Sequence, residues 1–217
     1  MRDSQTMNAN STLIDGLTES LMPVARRRPS REIAILGLIA LIQLAGTLSL
    51  LGDNAVAVFS KDMVGVGSKA LMLGAGALAF FTLTLRGFEP TTSRQSKIAM
   101  VVGALILGFG VLTLDRNFGG SMQSMLMPEK GIVCLASSIS FALPMFMALT
   151  FFMRGAATTQ PQMTALLIGI ASGTWGVFVY GLQCPFTNLA YLAVWYGGAV
   201  ALVSLAAAVI LPRAARW

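Results

Sequence analysis

The chain has 217 residues, of which 55% are hydrophobic and 11% charged, whereas an ordinary soluble domain carries about 25% charged residues. A soluble fold cannot hide that much apolar surface, because domains near this size leave roughly a quarter to a third of the unfolded surface exposed. There is no histidine, which excludes histidine-ligated zinc and Ser-His-Asp catalysis. The net charge of +6 comes mostly from residues flanking apolar segments, where it fixes membrane orientation rather than recruiting nucleic acid.

Residues 1–32 form a polar arm too short to be a domain, and so too short to be catalytic by itself. Within it Leu13, Ile14, Leu17 and Leu21 share an arc of about 100° at helical spacing, opposite Asp15 and Glu19. Thr12 with Asp15 resembles a capping box and Pro23 supplies a stop, so the pattern predicts a short amphipathic helix over 13–21. Gly16 weakens it by about 1 kcal/mol relative to alanine. A helix this short needs a surface to dock on, and two are open. One is the membrane or the protein's own bundle, although anionic lipid would repel Asp15 and Glu19. The other is an apolar groove with basic edges on a cytoplasmic protein, which takes anchors spaced i, i+4, i+8. No cleavable leader is expected, since the first apolar segment begins only at Ile33 and lacks an A-x-A exit.

A membrane span needs about 20 mainly apolar residues. Six such windows follow the arm, over residues 33–52, 63–85, 98–114, 131–153, 163–183 and 189–211, with a cytoplasmic tail over 212–217. Lys69 lies near one end of the second window, where its ammonium can snorkel to the interface. Pro144 lies near the middle of the fourth and predicts a kink. From Gly155 to Pro212 no side chain is charged, and the division there rests on GAATTQPQ (155–162) and CPFTN (184–188), whose proline and small polar residues interrupt helices. The expected fold is therefore all-α, a six-transmembrane-helix bundle with a short amphipathic cytoplasmic N-terminal helix.

Orientation follows from the basic residues. With the N-terminus inside, the inner segments hold Arg2, Arg26, Arg27, Arg28, Arg31, Arg86, Arg94, Lys97, Arg154, Arg213 and Arg216, while the outer side holds only Lys61, Lys69, Arg116 and Lys130. Both termini are thus expected in the cytoplasm. The GIASG run gives Gly169 and Gly173 a GxxxG spacing, read as close packing within the bundle in preference to a dimer interface.

The two cysteines acquire meaning from this topology. Cys134 opens the fourth span and Cys184 closes the fifth, both at the outer face, so an antiparallel hairpin of these helices would let the thiols bridge or share a soft metal ion. Three readings stand at this point: small apolar residues at helix ends, a stable disulfide, or a switching thiol pair. No C-x-x-C spacing is present, which disfavours a disulfide-oxidising enzyme. The polar residues inside the spans, Gln43, Thr47, Ser137, Ser138, Ser140, Thr150 and Thr174, are uncharged. Proton-coupled transport usually needs an intramembrane carboxylate, so a small transporter or permease is the weaker alternative, and a structural subunit of a larger complex a further one.

Several features occur together: an arm ending LTESLMPVARRRP, six spans, a fourth span with a cysteine and later a proline followed by RGA, a glycine-rich fifth span ending YGLQCP, the Trp195 and Tyr196 pair, and a closing LPRAARW. In these the chain resembles the NrsF-like family of membrane-embedded anti-sigma factors, negative regulators of extracytoplasmic-function sigma factors in proteobacteria. The resemblance implies a non-enzymatic inner-membrane protein without cofactor, whose partners are a sigma factor and the lipid bilayer, with no direct contact to nucleic acid. It implies a role in stress response, the cytoplasmic face holding the sigma factor inactive until an envelope signal releases it. On this reading Leu13, Ile14, Asp15, Leu17, Glu19 and Leu21 form the sigma-docking helix. Cys134 and Cys184 are the signal-sensing thiols, without metal at rest and open to a soft metal during sensing.

Overall fold

A segment of this composition forms helices because, in hydrocarbon, every backbone N–H and C=O must find its partner within its own segment. The computed structural model describes residues 29–61, 63–88, 128–155, 160–186 and 191–214. The expected arm helix over 13–21, with its six named docking residues, and the window over 98–114 lie outside the described residues. Among the described residues all regular structure is helical.

Helix α1, Pro29–Lys61, begins with proline and carries Glu32 in its first turn, both suited to a helix N-terminus. It runs through Asp53, where the apolar pattern predicts the end of a span. Helix α2 is Met63–Gly87, α3 is Pro128–Arg154, with Glu129 in its first turn and Arg154 in its last, and α4 is Pro161–Gly181. A π-helical turn, Leu192–Tyr196, leads into α5, Gly197–Ala214. Among the described residues five stretches are long and apolar enough to cross a membrane: Pro29–Ser49, Val66–Gly87, Pro128–Arg154, Pro161–Gly181 and Leu192–Arg213.

Helix α4 is the centre of the bundle. In its most apolar window 67% of residues are buried, against 17% to 33% in the other four, and α5, α3 and α2 pack around it. Glycine makes this close packing possible. A Cβ on Gly169 would lie 2.5 Å from Ser204 Cα, and one on Gly173 would lie 3.0 Å from Val200 Cα, so both glycines face α5. Gly176 faces α3 and would drive a Cβ into the carbonyl oxygen of Ser138. The GxxxG face is therefore occupied inside the bundle.

Away from α4 the helices present large apolar side chains outward, among them Leu41 (66% exposed), Leu71 (76%), Phe151 (72%) and Leu205 (62%). Such a continuous apolar exterior suits lipid rather than water. Hydroxyls within the helices mostly bond back to their own turn, as Ser172 does to Ile168 O at 2.7 Å and Ser204 to Val200 O at 2.6 Å. Among the described residues, polar contacts also cross between helices: Thr84 Oγ1 of α2 donates to Leu167 O of α4 at 3.1 Å, and a second node joins three helices. Gln43 Nε2 of α1 donates to Phe141 O of α3 at 2.9 Å, and Trp175 Nε1 of α4 donates to Gln43 Oε1 at 2.8 Å. Pro144 lies inside α3, which continues through it. Its missing N–H removes the ladder partner of Ser140 O, one residue from the carbonyl that Gln43 reaches.

Candidate thiol site

Cys134 lies near the start of α3 and Cys184 just beyond the end of α4. Both are buried, at 1% and 4% exposure, and both are free thiols. The antiparallel packing of α3 and α4 brings them within hydrogen-bonding reach of each other. They belong to a buried apolar cluster with Val177, Tyr191, Leu192, Tyr196 and Ala199, sealed by Leu73, Tyr180, Phe186 and Trp195 among others.

Local sequence explains the placement of Cys184. Helix α4 ends at Gly181, with Leu182 N–H bonded to Phe178 O and Gln183 N–H to Tyr180 O. Pro185 follows Cys184, and a residue before proline is driven out of the α conformation, so the chain leaves the helix axis at the cysteine. The carbonyls there have no helical partner. Lys69 of α2 supplies one: its Nζ donates to Cys184 O and, at 3.2 Å, to Phe186 O. Lys69 is only 6% exposed. It turns into the bundle, in contrast to the snorkelling expected from its place near the end of an apolar window.

The π-helical turn supplies the other wall. A π turn makes i→i+5 hydrogen bonds, here Gly197 N–H to Leu192 O, and so stacks residues five apart that an α-helix would splay. Tyr191 and Tyr196 are such a pair, each 3% exposed. Their hydroxyls interact with the thiols, yet neither makes a well-directed hydrogen bond. The aromatic wall continues through Phe186, 4.9 Å from Tyr191 between ring centroids, and through Tyr180, 6.5 Å from Tyr196. Lys130 Nζ sits 5.5 Å from the centroid of Phe186, within cation–π range. Gly131 is required beneath Trp195, whose indole would collide with any Cβ there.

The electrostatics separate the two thiols. Cys184 is lowered from the ordinary thiol range chiefly by the hydrogen bond from Cys134, with Tyr196, the backbone of Phe186 and the charge of Lys69 acting the same way and burial opposing them. Thiolate is the nucleophilic and metal-binding form of cysteine, and these contacts favour it at Cys184. Among the described residues no third Cys, His, Asp or Glu completes a metal-binding group. A soft metal held here would take two sulfur ligands.

Sequence reasoning reaches the two cysteines through topology and singles out Tyr196 beside Trp195. It misses Lys69, Tyr180 and Tyr191 as parts of the site. The charge of Lys69 in an apolar window is the available signal; the tyrosine spacing offers none, because positions five apart do not share a face in an α-helix.

No solved structure matches the chain. A relative from Caulobacter vibrioides, named anti-sigma-F factor NrsF, is 26% identical over 220 residues, covering 94% of this chain and 96% of the relative. The family described as negative regulator of sigma F, NrsF, matches residues 17–217, and the chain belongs to that family, a regulatory and non-enzymatic kind of protein.

Proposed function

We propose that this protein is an anti-sigma factor of the bacterial inner membrane, with six spans and both termini in the cytoplasm. It sequesters an extracytoplasmic-function sigma factor and releases it when an envelope, redox or heavy-metal signal reaches the thiol pair. Family membership supports the sigma-factor half. One observation carries the sensing half: Cys134 and Cys184, from two different elements, meet as free thiols in a buried apolar cluster at one end of the bundle. With the N-terminus inside, that end faces the outer compartment, which permits thiol oxidation.

The chemistry open to the pair is limited and reversible. A peroxide would take two electrons from the thiols, which lose their protons and join as a disulfide, while the peroxide leaves as alcohol and water. A thiophilic cation would replace the two protons without electron transfer. Either event draws together the start of α3 and the segment after α4. We infer that these helices carry the change to the opposite face, where α3 ends at Arg154 and α4 begins at Pro161. The interruption at Pro144 and the neighbouring Gln43 node are the places where α3 can bend. At rest the arm presents Leu13, Leu17 and Leu21 as apolar anchors, flanked by Ile14, Asp15 and Glu19, to a groove on the sigma factor, and the signal withdraws them.

Affinity capture from solubilised membranes tests both halves. The full-length protein should retain one sigma factor of its own genome, and a Leu13, Leu17, Leu21 triple-alanine variant should lose it. A Cys134→Ser, Cys184→Ser variant should retain it even in the presence of a peroxide or cadmium. Retention by the triple variant would move the docking surface to the inner loops, and release from the serine variant would remove the thiols as sensor.

A further inference from the structure

A lysine ammonium buried in an apolar bundle is costly and persists only where its partners are good. In Lys69 the partners are specific. The ammonium reaches the carbonyl oxygens of Cys184 and Phe186, the residues on either side of Pro185. The first of these bonds joins positions 115 apart in sequence, and it is the charged link between α2 and the non-helical segment that carries one of the two thiols.

The backbone bonds that close α4 reach only as far as Leu182 and Gln183, and the donor from α2 ties down the two carbonyls beyond them. Cys134 rides on a rigid helix. The distance between the thiols therefore depends on where the Cys184 segment is held, and Lys69 supplies the hydrogen bonds that tie it to α2. Lysine fits this role, since its stem is long enough to cross from α2 and one ammonium can donate to two oxygens at once.

We propose that Lys69 is the positioning residue of the thiol pair, a clamp across Cys184 and Phe186 that holds Cys184 against Cys134 and so sets how readily the two thiols act together. This rests on the reading of the cysteines as an interacting pair. Lys69 touches neither the signal nor the sigma factor; it acts through the backbone that carries Cys184.

The test uses the purified full-length protein in detergent and phenylarsine oxide as probe. The arsenic of this reagent forms two As–S bonds to a close pair of thiols and releases one water, with no change in oxidation state. Capture is followed as protection of both cysteines from maleimide. Lys69→Met, which keeps the stem and loses the donor, should be captured about tenfold more slowly than wild type, the scale of losing a hydrogen bond from a charged group. Lys69→Arg, which can still donate to two carbonyls, should return to within about threefold of wild type. Should the methionine variant fail to fold, Lys69→Gln, whose amide is one bond shorter, is read in the same assay with the same slowing expected. Capture of the methionine or glutamine variant at the wild-type rate, or of the arginine variant as slowly as methionine, overturns the clamp and leaves the thiol-sensor reading standing. Failure of wild type itself to be captured overturns the paired-thiol reading and the clamp with it.

Discussion

Trp175 and Gln43 are joined side chain to side chain, the indole N–H donating to the amide oxygen at 2.8 Å, while the amide nitrogen of Gln43 donates to Phe141 O at 2.9 Å. Three helices thus share one polar contact in an apolar interior. Phe81 and Phe178 pack against Trp175, at 6.0 and 5.4 Å between centroids, and hold the indole in place. Gln43→Leu leaves both the indole N–H and the Phe141 carbonyl without this partner. It should cost about 1–2 kcal/mol, the upper part of the range for hydrogen bonds between membrane helices. Unfolding of the purified protein in mixed micelles by increasing dodecyl sulfate measures this. A double-mutant cycle with Trp175→Phe should give a coupling of about 0.5–1 kcal/mol, and a coupling of zero would mean that the bond contributes nothing net.

Gly176 and Gly76 make a matched pair of tests. A methyl group on Gly176 would meet the carbonyl oxygen of Ser138 and, at 2.7 Å, the amide nitrogen of Ala142. Backbone cannot swing away as a side chain can, so α3 and α4 must separate. Gly176→Ala should destabilise by about 1–3 kcal/mol, and because these helices carry the thiol region, arsenical capture should slow as well. A methyl group on Gly76 of α2 meets nothing within 4 Å. Gly76→Ala should be neutral or stabilising by up to about 1 kcal/mol, from helix propensity alone. Thermal unfolding of both variants reads the difference.

The helical core of this protein is legible in its sequence because charge is so scarce. Each described helix overlaps one of the apolar windows, and the proximity of the cysteines follows once α3 and α4 are taken as an antiparallel pair. Helix ends and membrane edges are different things, however. Asp53 marks the end of an apolar window, yet α1 passes through it to Lys61, because a single aspartate costs a helix only about 0.7 kcal/mol. The direction of Lys69 is hidden for a related reason. A lysine near the end of an apolar window can reach water by snorkelling or reach carbonyls in the bundle, and only the break at Pro185 in another element provides those carbonyls. The π turn at Leu192–Tyr196 departs from the 3.6-residue period on which sequence patterns rest, so the tyrosine wall has no signature.

Tyr196 separates stability from reactivity at the thiol site. Its hydroxyl is buried without a well-directed partner, a situation in which removing the group is close to neutral or favourable. Tyr196→Phe should therefore leave the thermal midpoint unchanged or raise it. The same hydroxyl helps to lower the Cys184 thiol, so the variant should react more slowly with iodoacetamide at a fixed pH below the ordinary thiol range. A loss of stability without a change in reactivity would mean that the tyrosine serves packing alone.

The pH dependence of alkylation tests the inequality of the two thiols most directly. Because thiolate is the reacting form, labelling rises as pH climbs through the thiol pKa, and a lowered pKa moves the rise to lower pH. For Cys184 the lowering comes first from Cys134, then from Tyr196, the Phe186 backbone and Lys69, against burial. In wild type the labelling of Cys184 should reach half its maximum below the ordinary thiol value of about 8.5. Cys134→Ala removes the largest of the stabilising contacts, leaves burial nearly unchanged, and should shift the profile upward. Peptide mapping after brief exposure to iodoacetamide across a pH series gives both curves. An unshifted profile in Cys134→Ala would assign the lowering to Tyr196, the Phe186 backbone and Lys69 instead of the partner thiol, and the pair would then be two independent cysteines that happen to be neighbours.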